Sequence, residues 1–531
     1  MVRMHRRSAG AVVAQSSSSC GSPTYRPDGI AAAERAFSAS FPEFDPDGSF
    51  AEMRRREYGR LEAGDHVYLD YTGGALHAAA QIAAHVELLH SQVLGNPHSN
   101  NPTSQAATAL VERARGVVGE FFNAPPDEYL CVFTANATAA LKLVGESYRF
   151  EPGGTFALSF DNHNSVNGIR QFARRGGARI AYVPVIAPEL RLDRGAMTSV
   201  LAAADRSRRN LLAFPAQSNF SGVQHPLDLI DEAHETGWDV LVDAAAFAPT
   251  NRFDVARTRP DFVAISFYKI IGYPTGVGCL LMRRDRVGSL ERPWFSGGTV
   301  TIASVQADRH YLRPDAAAFE DGTVDYLNLP AVESGLRYIE GVGLTSIHRR
   351  VRCLTHWLLA AMTGLRHHDG RRVVEIHGPT DMTDRGGTVT FLVRDRDGRV
   401  VCERRIEELA NRARISLRTG CFCNPGAGEV AHHLTAVDMA KWFGREEPVW
   451  PADLRDGFLR DDDRVLSAIR VSVGVATNFA DVYRLLCFLQ GFVDRTGDEV
   501  GCADVVPAPA RVNAPALDGH RPKVADTGGH S

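Results

Sequence analysis

Residues 262–278 read FVAISFYKIIGYPTGVG, and this stretch decides the fold. The apolar run Phe262–Ser266 predicts a buried strand, and the Gly- and Pro-containing residues beyond it predict a turn. Lys269 therefore follows the carboxyl end of a strand. Ligands bind at that end of the strands in open α/β sheets, and an amine there can form a Schiff base with a carbonyl group. A surface lysine at a strand end is the plainer interpretation.

Lysine is scarce in this chain of 531 residues. The 59 basic residues are 55 arginines and four lysines, namely Lys142, Lys269, Lys441 and Lys523. Lysine can lose its proton and act as a nucleophile, whereas arginine effectively cannot. Its retention next to a predicted strand favours a chemical role for Lys269.

Strand-like apolar runs alternate with helical patterns through the middle of the chain. Repeated βα alternation predicts an α/β fold with a mainly parallel sheet covered by helices. The predicted strands are Leu130–Phe133, Thr155–Ser159, Arg179–Val185, Asn210–Phe214, Asp239–Val242 and Phe262–Ser266, and the predicted helices are Ala137–Glu146, Ser165–Arg175 and Leu227–Thr236.

From about residue 345 the pattern becomes that of a smaller α+β domain. The stretch 424–465 is polar, contains Pro and Gly, and predicts a long functional loop or lid. The expected parts are a disordered leader (1–30), a segment packing on the small domain (31–67), a large domain (68–335), a small domain (336–495) with a cysteine loop at 418–428, and a disordered tail (496–531). The small domain's predicted helices are Ser346–Thr363, Val401–Ala413 and Phe479–Val493, and its strands are Val373–Ile376, Thr388–Val393 and Ile469–Val473.

Composition narrows the class of protein. The net charge is -4, so the chain has no overall attraction to nucleic acid or membranes. No apolar run reaches the length of a membrane span. Nine irregularly spaced cysteines do not form the pattern of a secreted disulfide framework, so we expect a cytoplasmic protein.

The junction FTANAT (133–138) between a predicted strand and helix suits a phosphate group. Helix N-termini present free amides and a favourable dipole to anions, which points to Thr134, Ala135 and Asn136. Helix capping alone would also explain Thr134 and Asn136. No dinucleotide or ATP motif occurs at these positions.

Three further polar residues follow predicted strands. Asp243 can hold a protonated ring nitrogen of a cofactor, or merely cap a helix. His163 can stack on a ring or move protons, or be a plain loop residue. Asn219 can donate to a cofactor oxygen, or make a turn with Gly222.

The small domain contributes a thiol and an arginine. Cys421 and Cys423 lie in a glycine-containing stretch near Arg418, and a cationic neighbour can activate a thiol. A buried, unreactive thiol is the alternative, and no metal site is expected because a second ligand pair is missing. Arg470, in a predicted strand, can hold a substrate carboxylate or face solvent.

Together these motifs resemble the class V aminotransferase group of fold-type I pyridoxal-phosphate (PLP) enzymes. The resemblance is strongest to the cysteine desulfurase-like part of molybdenum-cofactor sulfurases. The residues that carry it are YLDYTGGAL (68–76), GNPHS (95–99), FTANATAALKLVGE (133–146), HNSVNGIR (163–170), FPAQSNFSG (214–222), VDAAAFAPT (242–250), SFYKIIGYPTGVG (266–278), FSGGTV (295–300), FEDGTVDYL (319–327), RTGCFCNPGA (418–427) and IRVSVG (469–474).

The resemblance implies a role for each matching residue. Lys269 would carry PLP, Asp243 would pair with its ring nitrogen, His163 would stack on the ring and Asn219 would contact the phenolic oxygen. Cys423, rather than Cys421, would take sulfur from L-cysteine and pass it to an unknown acceptor. The phosphate would be surrounded by Thr134, Ala135, Asn136, Ser266 and Tyr268, with Thr299 reaching it from a second subunit of a homodimer, and the substrate would be held by Arg470 and Arg418.

Two departures from the family pattern and two other functions stay open. Gly428 stands where a further cysteine is common, and Ala or Phe stands near Asp243 where a polar partner is common. We also expect the second, acceptor-binding domain of the larger sulfurases to be missing. A PLP-dependent C–S lyase or another class V reaction would make Cys423 incidental, and a non-catalytic sulfur-transfer partner would need no cofactor.

Overall fold

A computed structural model describes residues 23–97, 99–444 and 465–501. The strands are β1 Val67–Tyr68, β2 Tyr129–Thr134, β3 Thr155–Ser159, β4 Arg179–Val183, β5 Val185–Ile186, β6 Arg191–Leu192, β7 Asn210–Pro215, β8 Asp239–Asp243, β9 Phe262–Ser266, β10 Gly278–Arg283, β11 Val300–Ser304, β12 Arg309–Leu312, β13 Val374–His377, β14 Thr388–Val393, β15 Ile415–Ser416, β16 Arg418–Gly420 and β17 Ala468–Ser472. The α-helices are α1 Ile30–Ser40, α2 Ser49–Tyr58, α3 Arg60–Ala63, α4 Ala79–Ser91, α5 Pro102–Phe121, α6 Ala137–Ser147, α7 Asn164–Asn167, α8 Arg170–Arg175, α9 Arg194–Ala202, α10 Leu229–Glu235, α11 Val255–Thr258, α12 Phe267–Ile271, α13 Leu329–Val342, α14 Leu344–Gly364, α15 Glu403–Arg412, α16 Pro425–Ala431, α17 Ala436–Phe443 and α18 Phe479–Gln490.

The largest sheet has seven strands in the order β2-β10-β9-β8-β7-β3-β4. Strands β4, β3, β7, β8 and β9 pair in parallel, and β10 runs antiparallel to both of its neighbours. Nearly all residues of these strands are buried except in the edge strand β4, as expected for a sheet with helices on both faces. The predicted α/β fold with a mainly parallel sheet is confirmed.

Strand β9 and the short helix α12 set the position of Lys269. The helix begins directly after β9, so Lys269 projects from its first turn at the carboxyl edge of the sheet. Gly272 ends this helix at φ +75°, and a Cβ there would lie 2.3 Å from the backbone nitrogen of His77. The close approach of that neighbouring chain requires glycine.

A second sheet has the order β13-β14-β17-β16 and is antiparallel throughout. The long helix α14 lies against β13 and α18. The N-terminal helix α1 packs on α18, where the rings of Phe37 and Phe479 stack at 4.6 Å. Residues Val67–Tyr68 also pair in parallel with Ile415–Ser416, which joins the N-terminal segment to the strand before the cysteine loop.

Several expected boundaries are corrected. The boundary placed between residues 335 and 336 falls inside α13, which packs on α5, so the helical break comes at Gly343. The predicted strand 179–185 is interrupted at Pro184, and the predicted helix 165–175 is two helices. Part of the expected loop 424–465 forms α16 and α17, and residues 445–464 lie outside the described residues.

The ends of the chain are also more ordered than expected where they are described. Tyr25 packs against the rings of Trp357 and Tyr483, although it belongs to the expected leader. Val500 is buried, and its carbonyl accepts a hydrogen bond from Arg405. The rest of the expected leader (1–22) and tail (502–531) lies outside the described residues. Among the described helices, none has the length and apolar character to cross a membrane.

The buried ion pair between Arg54 and Asp481 should be a main attachment of the N-terminal segment. Two hydrogen bonds of 2.6 and 3.2 Å join them. Arg54→Ala leaves an uncompensated buried carboxylate, so we expect a loss of about 3–5 kcal/mol in the free energy of unfolding, measured in urea. The control is Arg55→Ala, because the Arg55 side chain is 66% exposed. Equal losses in both variants would contradict this account.

Candidate active site

A cavity of about 320 Å³ opens at the carboxyl edge of the large sheet. It gathers side chains from the ends of β8 and β9, the start of α6 and the loops after β3 and β7. The predicted residues that line it are Asn136, His163, Asn219, Asp243, Ser266, Tyr268 and Lys269, and the residues not predicted include Thr138, Ser165, Gln217 and Thr275.

Lys269 is half-buried in the wall of this cavity. Burial lowers the pKa of its amine, and the positive charges of Arg470 and Arg418 act in the same direction. The carboxylates of Asp243 and Asp70 oppose them. The lowered pKa increases the share of neutral amine at a given pH, and the neutral amine is the form that reacts with a carbonyl group.

His163 shares the electrostatic surroundings of Lys269. Its Nδ1 accepts the backbone N–H of Ser165 at 3.2 Å, so the proton of a neutral ring lies on Nε2. Burial lowers the pKa of His163; Asp243 raises it, while Lys269 and Arg470 lower it. A neutral imidazole is therefore presented to the cavity.

Asp243 ends β8 and is 8% exposed. Its Oδ1 accepts the backbone N–H of Ala245 at 2.9 Å. This bond fixes the carboxylate at the strand end. Positions 244–248 are all Ala or Phe, so they offer it no polar side chain.

The predicted phosphate residues are only partly brought together. Asn136 caps α6 by accepting the backbone N–H of Ala139 at 2.9 Å, and it lines the cavity. Thr134 and Ala135 line a neighbouring cavity instead, because they precede the turn into the helix. The hydroxyl that α6 does supply is that of Thr138, 2.8 Å from Ser165 Oγ. The signal for Thr138 was its place in the first turn of the helix.

Asn219 reaches the cavity, but its amide is already bonded. Its Nδ2 donates to the carbonyl of Phe422 at 2.8 Å, and its Oδ1 accepts from Asn424 at 2.9 Å. Gln217, two residues earlier, is 3% exposed and also lines the cavity. It was not predicted, although it lies in the same motif as Asn219.

The cysteine loop packs beside the cavity, against the loop that carries His163. The carbonyl of Cys423 accepts the backbone N–H of Asn164, the residue after His163, at 2.7 Å. Phe422 and Cys423 both have φ near +55°, a conformation that costs a non-glycine residue about 1 kcal/mol. The buried ring of Phe422, packed on Phe220, holds this turn while the side chain of Cys423 stays exposed.

Two predicted arginines meet a residue that was not predicted. Arg470 is 3% exposed and donates to Asp70 at 3.1 Å, and Arg418 donates to the same carboxylate at 2.6 Å.

Thr299 lies apart from the cavity, and its hydroxyl donates to the carbonyl of Ser296 at 2.8 Å. Its expected role in a second subunit stays a prediction.

The sequence profile of the family described as Aminotransferase class-V matches residues 67–485. The chain belongs to the class-V aminotransferase family. It is 34% identical to the molybdenum cofactor sulfurase of Solanum lycopersicum over 475 residues, which cover 83% of this chain and 56% of that one. The chain thus spans little more than half the length of this relative.

Solved structures share the fold of this class V member. The apo cysteine desulfurase of Thermococcus onnurineus NA1 superposes with a TM-score of 0.67 at 24% identity, covering 83% of this chain and 98% of that one. A cystine C–S lyase in complex with cysteine persulfide gives a TM-score of 0.61 at 19% identity, covering 82% and 100%. The predicted family and fold type are confirmed.

Lys269 should lose its proton at lower pH than an exposed lysine. We expect its acylation rate, normalised to its own plateau, to rise at lower pH than that of Lys142, whose side chain is 65% exposed. Asp243→Asn should move the Lys269 midpoint lower still, because that carboxylate raises the pKa of Lys269. Peptide mass spectrometry of cofactor-free protein reports both lysines at once. A Lys269 midpoint at or above that of Lys142 would contradict the burial argument.

Proposed function

We propose that this protein is a PLP-dependent cysteine desulfurase, which converts L-cysteine to L-alanine and takes the sulfur onto Cys423. The observation that carries the proposal is that the loop containing Cys423 bonds to Asn219, which lines the same cavity as Lys269. The backbone of Cys423 bonds to the residue after His163, and the residues on both sides of it bond to Asn219.

The donor set of the cavity fits PLP. Lys269 is the amine for its aldehyde, Asp243 the anion for its ring nitrogen and His163 the flat ring for stacking. Thr138, Ser266 and the N-terminus of α6 would hold the phosphate, and Gln217 supplies an amide at the cavity wall. When bound, PLP withdraws electrons from the α-carbon of an amino acid.

Lys269 also provides the proton transfer that the reaction needs. Burial lowers the pKa of this amine, and its neutral form can take a proton from the substrate α-carbon. Arg470, buried and rigidly bonded, holds the α-carboxylate with the help of Arg418. These contacts orient the substrate so that its sulfur faces the cysteine loop.

Cys423 then accepts the sulfur. Its thiolate attacks the substrate sulfur, a sulfur–sulfur bond forms and the bond between sulfur and Cβ breaks. The electron pair of that bond stays on carbon, which takes up a proton to give alanine. Because Cys423 is exposed, the resulting persulfide can be reached by an acceptor from solvent.

The second candidate is a C–S lyase, which one of the fold neighbours is. Such an enzyme would release pyruvate and ammonia and would not use Cys423. The packing of the cysteine loop against the cavity favours the desulfurase, since an incidental cysteine has no need of that position.

The products of the reaction separate these candidates. With PLP and L-cysteine, the parent protein should give alanine and protein-bound sulfane sulfur in equal amounts. Lys269→Ala and Cys423→Ala should each reduce alanine formation at least a hundredfold, whereas Cys421→Ala, the matched control, should change it little. Pyruvate formation that survives Cys423→Ala would establish the lyase, and a parent protein that binds no PLP would favour a non-catalytic partner.

The proposal includes a homodimer in the cytoplasm. The hairpin β11–β12 exposes apolar side chains next to Thr299, including Ile302 (61%), Val305 (99%) and Tyr311 (64%). A patch of this kind suits a second copy of the chain. The seven cysteines in the described part of the chain are all free, which suits a reducing compartment.

Charge on this hairpin should weaken the dimer. We expect the parent protein to sediment as a dimer, and Ile302→Asp with Val305→Asp to shift it toward monomer, because both side chains would be buried with a charge at the interface. Val437→Asp is the control, since Val437 is 80% exposed on α17. A monomeric parent, or the same shift in the control, would contradict the assignment of this surface.

A further inference from the structure

Asp70 lies between the two arginines of the proposed substrate site. It follows β1 and pairs in a parallel bridge with Ser472 at the end of β17. Its Oδ2 accepts from Arg418 Nη2 at 2.6 Å and Nε at 3.0 Å, and its Oδ1 accepts from Arg470 Nη2 at 3.1 Å. Asp70 is 8% exposed and Arg470 3%, whereas the side chain of Arg418 is 50% exposed.

The bonding of Arg470 is incomplete without a further anion. Its Nη1 donates to the carbonyl of Asn219 at 3.0 Å, and its guanidinium lies 4.7 Å from the centre of the Phe422 ring. Its Nε has no hydrogen-bond partner within the described residues. Among those residues Asp70 supplies the one carboxylate in contact with it. A buried cation with an unpaired N–H is suited to receive another acceptor.

The turn that carries Asp70 is built around this ion pair. A Cβ on Gly73 would lie 2.4 Å from Asp70 Oδ2 and 2.7 Å from Arg418 Nη2, so only glycine lets the backbone cover the pair. A Cβ on Gly74 would lie 3.4 Å from the ring of Tyr268, beside Lys269. Thr72 fixes the turn to the small domain through Ser472 at 2.8 Å. The position of Asp70 is therefore tied to the cavity wall.

Two guanidinium groups and one carboxylate leave a single positive charge. A substrate with one α-carboxylate neutralises that charge, whereas a second anionic group would face the carboxylate of Asp70. We propose that Asp70 is a specificity-determining residue, which positions Arg418 and Arg470 and restricts the site to amino acids whose only anionic group is the α-carboxylate. The assignment of this site to the substrate rests on the proposed function.

L-Aspartate and L-asparagine are the probes for this idea, because they have nearly the same shape and differ by one charge. Their dissociation constants are measured by titration calorimetry with PLP-loaded protein. The parent should bind L-asparagine more tightly than L-aspartate. Asp70→Asn should shift the ratio of the two constants about tenfold toward L-aspartate, because one negative charge has been removed.

A general loss of binding caused by misplaced arginines would weaken both ligands alike, so it would leave the ratio of the two dissociation constants unchanged. Asp65→Asn is the matched control, since Asp65 pairs with Arg484 at the surface, five residues away, and should leave the ratio unchanged. A ratio that does not change in Asp70→Asn would overturn the proposal. If that variant does not fold, tighter binding of L-aspartate than of L-asparagine by the parent would overturn it equally.

This experiment needs no turnover of L-cysteine, so the two proposals fail separately. A shifted ratio in a protein that makes no alanine from L-cysteine would support the role of Asp70 and overturn the desulfurase. An unchanged ratio in a protein that does make alanine would support the desulfurase and overturn the role of Asp70.

Discussion

The guanidinium of Arg470 is the point at which three parts of the chain meet. It belongs to β17 of the four-stranded sheet. It contacts Asp70 in the turn after β1, the Asn219 carbonyl in the loop after β7 and the Phe422 ring in the cysteine loop. A buried charge is costly unless it is paired and hydrogen-bonded, so separating Arg470 from these partners would destabilise the fold. The residues on both sides of Cys423 bond to Asn219, which lines the same cavity as Lys269.

The fold could be predicted largely from local patterns. Strands such as Thr155–Ser159 and Phe262–Ser266 are apolar throughout, because they are buried on both faces of a parallel sheet, and their bounds agree with the structure. The strand β10 was not predicted. Its antiparallel direction could not have been predicted either, because an apolar run carries no sign of its direction. The helices within 424–465 were read as a loop because their Gly and Pro residues occupy caps and first turns, where these residues are compatible with a helix.

The site was predictable where a residue type is itself informative. Lys269 stood out because lysine is rare here, and Asp243 and His163 because each follows a strand. Thr138 and Gln217 were missed because the position that faces the cavity depends on the exact turn after a strand. The sequence around Asp70 did not indicate its contacts, because the two arginines that it binds are about 350 and 400 residues away in the chain.

In the proposed reaction the cysteine loop delivers Cys423, and not Cys421, to the sulfur of the substrate. The most direct measurement follows isotopically labelled sulfur from L-cysteine through a single turnover, with rapid alkylation and peptide mapping of the protein. The account predicts the label as a persulfide on Cys423 with Cys421 unlabelled. Label on Cys421, or release of all the label as free sulfide, would contradict it.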